Sequence, residues 1–334
     1  MIATRDLPSG LVRTRPLIDE ALRAAVGRLP QALQLPVTYH LGWSTADGSP
    51  EAGDAGKAVR PALTVLAAEA VGGSIERALP GAAAVELVHN FSLLHDDVMD
   101  GDRERRHRPT VWALFGVGQA IVAGDSLLAL ALEMLIEAGP PEAARELTAA
   151  TAGMIQGQAE DLAFESRLDV TPDECLSMSA HKTALLLSCA PALGAILGGA
   201  DAPWVESLRS FGFELGVAFQ AVDDLLGIWG DPAVTGKPVA SDLRQHKKTL
   251  PVVHALSMPA GDPLRAALSK AELSDDDVAS AMAALGACGS RTWGADLAQK
   301  RLDRALQALD ATPLEAGPSE ELREIAAFIT RRTF

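Results

Sequence analysis

Apolar residues recur at three- and four-residue intervals along nearly the whole chain, and short clusters of proline, glycine and aspartate interrupt that rhythm. This spacing is typical of α-helices, because it brings the apolar positions to one face. The pattern predicts nine longer helices, followed by shorter ones between residues 262 and 332. The predicted bounds are 16–28, 31–41, 57–72, 79–100, 116–138, 141–165, 172–198, 201–229 and 241–258.

Strand signals are missing from the sequence, which has no Asn-Gly hairpin and no alternating run of Val, Ile and Thr. The longest polar loops are predicted at 44–56 and 230–241, and neither has the character of a domain linker. We therefore expect an all-α fold in a single domain over residues 1–334, with residues 1–15 as a flexible leader.

Composition favours close-packed helices and disfavours nucleic acid as a partner. Hydrophobic residues make up 48% of the 334 residues but aromatic residues only 4%, so the core must be rich in Ala and Leu. The net charge of −15 disfavours nucleic acid and anionic membranes as partners. Three scattered cysteines suit neither a disulfide framework nor a zinc site, and they indicate a reducing cytoplasm.

Two segments bear on membrane targeting. The N-terminus carries charge and proline where a signal peptide would be apolar. The uncharged stretch 183–200 is long enough to span a membrane. Its many small residues, and the low aromatic and basic content of the chain, favour a buried core helix instead.

The stretch "LLHDDVMDGDRERRHRPT", residues 93–110, passes abruptly from an apolar helix to charged residues. Asp96 and Asp100 are four residues apart and share one helix face, with Asp97 about a third of a turn around. Carboxylates this close repel unless a cation shares them, and oxygen ligands suit Mg²⁺. The alternative is a solvated acidic helix end, although the macrodipole disfavours acids there.

A second apolar helix ends in the same way, because "AFQAVDDLLGIWGD" at 218–231 contains the pair Asp223 and Asp224. If the two helix ends face each other across a bundle, their carboxylates form a cage. Lysine and arginine side chains suited to phosphate oxygens stand in nearby polar segments. They are Lys57, Arg60, Arg105, Arg106, Lys182, Lys237 and Lys247. Each alone indicates a surface residue, but the whole set predicts a diphosphate site bridged by magnesium.

Six motifs stand in the order found in the trans-polyprenyl diphosphate synthases: "GKAVRP", "HDDVMDGDRERR", "GQAEDL", "HKT", "FQAVDD" and "GKPVASDLRQHKKTLP". The resemblance covers about residues 50–255. It implies an isoprenoid synthase-type helical bundle around a deep central cavity, in a cytoplasmic homodimer. It also implies that Mg²⁺, with Mn²⁺ as the alternative, supports head-to-tail condensation of isopentenyl diphosphate with an allylic diphosphate.

The resemblance assigns roles residue by residue. The implied metal ligands are Asp96, Asp100 and Asp223, with Asp97 and Asp224 as neighbouring carboxylates. The implied allylic diphosphate clamp comprises Arg105, Lys182, Lys237 and Lys247, lined by Thr183 and Gln220. The implied isopentenyl diphosphate pocket comprises Lys57, Arg60, His89 and Arg106. One departure is Gly227, which replaces the usual last aspartate of the second motif; it predicts weaker or altered metal binding, with Asp231 as a weak substitute.

Product length is expected to depend on Phe91 and Ser92. A bulky residue at 91, together with a first motif that has no inserted residues, resembles the geranylgeranyl (C20) type. The small Ser92 lies one turn before Asp96 and should let the chain pass the farnesyl (C15) stage. The alternative for Phe91 is a plain core aromatic.

Other functions stay open at this point, among them a farnesyl diphosphate synthase. A class I terpene cyclase ionises the same substrates but lacks the second diphosphate pocket. A regulatory subunit would be expected to have lost the first acidic motif, and a plain helical scaffold explains neither Asp pair. In addition, "YHLGW" and "GKAVRPALTVLAAEAVGG" resemble an actinobacterial branch with members that are cargo of encapsulin shells, which would make such a shell a partner.

Overall fold

A computed structural model describes residues 7–51, 53, 56–232 and 238–330, and this part of the chain is almost entirely helical. The helices are α1 (Ser9–Val26), α2 (Gln31–His40), α3 (Val59–Ala70), α4 (Ile75–Met99), α5 (Val111–Phe115), α6 (Val117–Ala138), α7 (Pro141–Phe164), α8 (Pro172–Ser179), α9 (Leu185–Gly198), α10 (Ala202–Trp229), α11 (Ser241–Arg244), α12 (Leu250–Leu256), α13 (Asp262–Leu268), α14 (Asp275–Ala287), α15 (Ser290–Leu309) and α16 (Ala316–Thr330). A π-helical turn, Ala180–Ala184, joins α8 to α9, and a 3₁₀ turn, Pro259–Gly261, precedes α13. The predicted all-α class is confirmed.

Helix α1 begins at Ser9, so the flexible leader predicted for residues 1–15 is wrong for residues 9–15. Residues 1–6 lie outside the described part of the chain. The helix includes Pro16 in its interior, where a proline normally favours a break. Tertiary contacts offset that preference, since Arg13 Nη2 lies 2.8 Å from Glu69 Oε2 and 2.6 Å from Glu321 Oε2.

A short β-hairpin, absent from the sequence-based prediction, follows α4. Strand β1 (Glu104–Arg105) pairs antiparallel with β2 (Arg108–Pro109). The two residues of the turn, Arg106 and His107, have φ of +53° and +60°. Two-residue hairpins with this backbone usually carry Asn-Gly or Asp-Gly. Because the turn here is Arg-His, the usual sequence signal was missing.

The single helix predicted at 241–258 is wrong, because α11 and α12 are separate. Residues 245–249 leave the helical path, and His246 has φ of +56°. Tertiary contacts hold this segment, in which Lys248 Nζ donates to the carbonyl oxygens of His246 at 2.8 Å and Glu165 at 3.1 Å. The backbone N–H of Leu250 is thereby brought to Asp224, 2.8 Å from its Oδ2.

Two compact units make up the chain. The first comprises residues 1–149, 189–209 and 312–325, and its helices approach closely at small residues. A Cβ atom at Gly194 would lie 2.1 Å from the carbonyl oxygen of Thr64, and one at Gly81 would lie 2.4 Å from Leu197 Cδ1. The absence of a side chain at these two glycines therefore lets neighbouring helices of this unit pack closely.

The second unit comprises residues 150–188, 210–311 and 326–334. Its core includes Ile228, Val252 and Leu285, all inaccessible to solvent. Capping boxes begin two of its helices, with Thr171 and Glu174 at α8 and Ser274 and Asp277 at α14. The single domain expected over residues 1–334 stays a prediction.

Two helical segments are long and apolar enough to cross a membrane by length and composition, Val117–Ala138 and Pro172–Gly198. The core helix of a soluble protein passes the same test. In the second segment, which contains most of the stretch 183–200, 67% of the apolar window is buried inside the protein, as expected for a core helix. All three cysteines are buried and unlinked, as their spacing predicted.

Candidate active site

Three carboxylates stand in the last turn of α4, and we call Asp96, Asp97 and Asp100 the first acidic end. The helix closes in a left-handed turn: Gly101 has φ of +68°, and the Asp102 N–H donates to the Asp97 carbonyl oxygen at 3.0 Å. These contacts are those of a glycine C-cap. Asp96 is half-buried and Asp100 exposed, so both are reached from the same accessible face of α4.

Asp97 differs from its two neighbours because its side chain is buried. Arg105 Nε donates to Asp97 Oδ1 at 2.7 Å, while Oδ2 is buried without a hydrogen-bond partner among the described residues. Burial raises the pKa of Asp97, although the Arg105 charge opposes that rise. A cavity of about 30 Å³ lies against these groups and is lined by Tyr39, His40, Asp97, Arg105, Arg106, Arg108, Pro109, Thr110 and Val111.

The hairpin β1–β2 fixes the arginines that follow the first acidic end. Tyr39 Oη donates to the Pro109 carbonyl oxygen at 2.8 Å, and the Arg108 guanidinium lies 4.3 Å from the centre of the Tyr39 ring. On the other side of the turn, a Cβ at Gly56 would lie only 2.8 Å from Arg106 Nη2. The backbone just before Lys57 therefore packs against the Arg106 side chain.

A buried polar network lies beside this pocket on α4. Asn90 Nδ2 donates to the Glu86 carbonyl oxygen at 2.8 Å, and His40 Nε2 lies 3.1 Å from Asn90 Oδ1. Burial raises the pKa of Glu86, and the charge of Arg60 opposes the rise. Burial lowers the pKa of His89 well below its usual value, and the charges of Arg60 and Arg106 lower it further.

Arg60 and Arg106 therefore lie close enough to His89 for their charges to act on it. Sequence reasoning missed Glu86, Asn90 and His40, which support them. One feature of the sequence could have indicated this buried polar network. Glu86 and Asn90 are polar residues one helical turn apart in a largely apolar part of α4.

In the second unit, Lys182 lies within the π-helical turn and its Nζ is 2.6 Å from Asp161 Oδ2. The turn packs directly on α7, because a Cβ at Gly157 would lie 2.2 Å from the Lys182 backbone nitrogen. π-helical turns occur often at functional sites. The motif "GQAEDL" therefore supplies both the glycine that admits the turn and the aspartate that pairs with its lysine.

A chain of hydrogen bonds fixes the second acidic pair. Thr183 Oγ1 donates to Gln220 Oε1 at 2.7 Å, and Gln220 Nε2 donates to Asp224 Oδ1 at 2.7 Å. Burial raises the pKa of Asp224 to about 7, against the hydrogen bonds from Leu250 and Gln220, and the charge of Asp242 adds to the rise. Asp223, in contrast, is exposed.

The remaining predicted basic residues are less well defined. Lys247 is half-buried and follows the turn at His246; its N–H donates to the Asp242 carbonyl oxygen at 2.9 Å. Lys237 lies outside the described residues. Asp242 itself was not predicted to be part of the site.

The donor chemistry fits a divalent cation that is shared with a substrate. Within the described residues, no three His, Cys, Asp or Glu side chains come close enough to hold a metal ion by themselves. Mg²⁺ commonly binds through one or two carboxylates, keeps several waters and takes other ligands from substrate phosphates. Asp96 and Asp100, oxygen donors on one helix face, meet that requirement.

The chain is similar to known proteins over most of its length. The family model described as Polyprenyl synthetase matches residues 51–285. A (2E,6E)-farnesyl diphosphate synthase from Mycobacterium tuberculosis is 46% identical over 95% of this chain and 90% of its own length. A geranylgeranyl diphosphate synthase from the same species is 45% identical over 96% and 93%. The crystal structure of a polyprenyl synthetase from Streptomyces coelicolor A3(2) superposes with a TM-score of 0.91 and 49% identity, covering 96% of this chain and 98% of that one.

The fold is therefore the all-α isoprenoid synthase fold. The chain belongs to the polyprenyl synthetase family, and it is a short-chain prenyl diphosphate synthase, a prenyltransferase.

The lowered pKa of half-buried His40 predicts how the stability of the protein depends on pH. Burial, with the charges of Arg106 and Arg105, lowers the pKa of His40 to about 3. The pKa of a histidine in the unfolded chain is about 6.5. Between that pH and about pH 3, His40 is protonated in the unfolded chain but not in the folded protein. The free energy of unfolding should therefore fall as the pH drops below about 6.5, by at most about 1.4 kcal/mol per pH unit for each such histidine.

Urea denaturation at pH 7 and pH 4.5 measures this effect. His40→Gln keeps a hydrogen-bonding group for Asn90 but cannot titrate, so it should flatten the pH profile. His107→Asn is the matched control, because His107 is exposed and asparagine tolerates its left-handed backbone. If His40→Gln and the parent lose stability equally, His40 is not a source of the acid sensitivity.

Proposed function

We propose that this synthase makes mainly geranylgeranyl diphosphate (C20), with some farnesyl diphosphate (C15). The observation that carries the proposal is Phe91, 6% exposed and five residues before the first aspartate of an uninterrupted acidic motif. Its ring centre lies 4.7 Å from that of His95, in an edge-to-face contact. The Mycobacterium relatives named for C15 and C20 products are almost equally similar, so the farnesyl alternative requires a direct test.

The proposed roles are those that the resemblance to the family implies. Divalent cations are held by Asp96, Asp100 and Asp223, with Asp97 and Asp224 as supporting carboxylates. The allylic diphosphate is bound by Arg105, Lys182, Thr183, Gln220, Lys237 and Lys247. The isopentenyl diphosphate is bound by Lys57, Arg60, His89 and Arg106. A bound Mg²⁺ or Mn²⁺ supplies Lewis-acid stabilisation of the leaving diphosphate.

The protein positions two diphosphates for one carbon–carbon bond. The double-bond electrons of isopentenyl diphosphate attack C1 of the allylic substrate, and the C1–O bond breaks as its electron pair leaves with diphosphate. The departing diphosphate then takes a proton from C2 of the former isopentenyl unit, and the electrons of that C–H bond form the new C2–C3 double bond. Positioning the two substrates is the main contribution of the side chains. His89, whose pKa is lowered by burial and by nearby arginines, binds as a neutral hydrogen-bonding group at pH 7.

Lys57→Ala and Arg106→Ala should mainly raise the KM for isopentenyl diphosphate, by about tenfold or more. Each removes a charge-assisted contact worth about 1.5–3 kcal/mol. Steady-state kinetics with each substrate varied in turn measures the effect. His107→Ala, the neighbouring turn position with the same left-handed backbone, is the control and should leave the KM unchanged. A fall in kcat with an unaltered KM would contradict the assignment of Lys57 and Arg106 to this substrate.

Omitting one substrate at a time separates the alternatives. A synthase needs both the allylic diphosphate and isopentenyl diphosphate and yields a longer, linear diphosphate. A class I terpene cyclase would convert the allylic diphosphate alone into a cyclic hydrocarbon. A regulatory subunit would give no product by itself. Linear product only in the presence of both substrates supports the proposal.

We also propose a homodimer, supported by the apolar side chains that α6 leaves exposed. They are Val117, Ile121, Val122 and Ile136, with exposed fractions from 41% to 73%. Exposed apolar patches of this kind mark protein interfaces, and sedimentation velocity would show the assembly. The cytoplasmic location and the encapsulin shell as a partner stay predictions.

A further inference from the structure

Arg15 of α1 contacts the segment that carries Lys57. Its Nη1 donates to the Gly56 carbonyl oxygen at 2.6 Å. Its Nε lies 2.8 Å from both carboxylate oxygens of Asp19, about one turn further along α1. Asp19 therefore orients the half-buried guanidinium, which at the same time binds a peptide 41 residues further along the sequence.

Gly56 connects Arg15 to two residues of the proposed isopentenyl diphosphate pocket. Its φ of +82° lies in the region that favours glycine. A Cβ at this position would lie 2.8 Å from Arg106 Nη2 and 3.3 Å from Arg106 Cζ, so the backbone packs directly against that guanidinium. The Gly56 carbonyl belongs to the peptide bond that leads into Lys57, and a peptide bond is planar. The hydrogen bond from Arg15 therefore fixes the plane from which Lys57 begins.

The positive charge of Arg15 also acts on the buried polar network of α4. Burial raises the pKa of Glu86. The charges of Arg60, Arg106 and Arg15 oppose that rise. These three arginines come from three different segments, namely α3, the hairpin turn and α1. A direct hydrogen bond and a charge interaction thus both place Arg15 next to the pocket.

We propose that Arg15 is a positioning residue for isopentenyl diphosphate: it holds the peptide bond before Lys57 so that Lys57 and Arg106 face the same diphosphate group. The proposal rests on the proposed function, which assigns Lys57 and Arg106 to that substrate. Arg15 acts through the backbone of Gly56, to which its Nη1 is bound. The alternative is that Arg15 only stabilises α1 through its ion pair with Asp19.

Calorimetric titration with isopentenyl diphosphate tests the proposal without any condensation. Arg15→Met keeps a long side chain without a donor and should weaken binding by about tenfold, as expected for the loss of a hydrogen bond from a charged group. The KM for isopentenyl diphosphate should rise by the same factor, while kcat and the KM for the allylic substrate stay unchanged. Arg13→Met is the matched control, because Arg13 lies in the same helix and pairs with Glu69 and Glu321. It should lower the thermal midpoint and leave both KM values unchanged.

A double variant shows whether Arg15 acts through Lys57. Arg15→Met combined with Lys57→Ala should weaken binding by less than the product of the two single effects, because the effects of coupled residues are not additive. Arg15→Lys keeps the charge but lacks the planar fork that engages both Asp19 and the Gly56 carbonyl. It should also weaken binding, and it carries the test if Arg15→Met does not fold.

The same measurements separate this proposal from the proposed function. If folded Arg15→Met binds isopentenyl diphosphate as the parent does while Lys57→Ala binds it more weakly, the positioning role of Arg15 is overturned. Single effects that multiply fully in the double variant would overturn it as well. If Lys57→Ala itself binds as the parent does, the assignment of Lys57 to this substrate fails, and the positioning role fails with it.

Discussion

Asp96→Ala and Asp100→Ala should each lower the rate of condensation by about a thousandfold. A divalent cation contributes several kcal/mol of transition-state stabilisation, and about 1.4 kcal/mol corresponds to a tenfold change in rate. Both carboxylates stand on the accessible face at the end of α4, where the closing turn at Gly101 fixes the backbone. Single-turnover measurements at saturating Mg²⁺ would separate this loss from slow product release.

The control for this prediction is Asp102→Asn, an acidic residue just beyond the helix that has no proposed ligand role. It should retain most of the activity, as should Glu104→Gln in strand β1. Circular dichroism must show that the alanine variants are folded. Undiminished turnover by the parent protein in excess EDTA would contradict the requirement for a divalent cation.

Phe91→Ala should lengthen the product beyond C20. The growing chain is expected to extend from the first acidic end along α4 towards its N-terminus. The phenyl ring of Phe91 would then block the end of the cavity, and its removal would leave room for a longer chain. The ring is 6% exposed, and its loss should reduce the free energy of unfolding by about 3–5 kcal/mol. Phe91→Leu, which fills more of the space, should shift product length less and remain more stable. Chromatography of the dephosphorylated products measures both.

A substitution at the neighbouring residue, Ser92, should have the opposite effect on product length. Ser92→Phe places a ring one turn before Asp96 and should shorten the product to C15 or less. Ser92→Ala, which removes only the hydrogen bond from Ser92 Oγ to the His89 carbonyl oxygen at 2.8 Å, is the control and should leave product length unchanged. If folded Phe91→Ala makes the same product as the parent, Phe91 is a core aromatic and does not limit the length of the product.

Periodicity predicted most of the helices and the shared face of the two aspartates at the end of α4. These features depend on residues that are near one another in the chain, such as Asp96 and Asp100. Those that were missed depend on tertiary contacts. Helix α1 extends through Pro16 because Arg13 binds two distant glutamates, and the hairpin forms with Arg106 and His107 in a turn that usually requires glycine or asparagine.

The same distinction applies to the candidate site. Individual basic residues such as Arg60 and Arg106 could be proposed from the sequence because their motifs are local. The support from Glu86 and Asn90 was missed, because polar residues inside an apolar helix carry a weak signal by themselves. Asp242 lies fifteen residues after Gly227 in the sequence, and only the close approach of α11 to α10 places its carboxylate in the space that the glycine leaves.

The most direct test of the account is to supply farnesyl diphosphate with isopentenyl diphosphate and Mg²⁺ and to determine the product by mass spectrometry. The account predicts that farnesyl diphosphate is consumed and that the linear C20 diphosphate accumulates, with none formed when isopentenyl diphosphate is omitted. Extension of geranyl diphosphate to C15 without any use of farnesyl diphosphate would contradict it and assign the protein the shorter product.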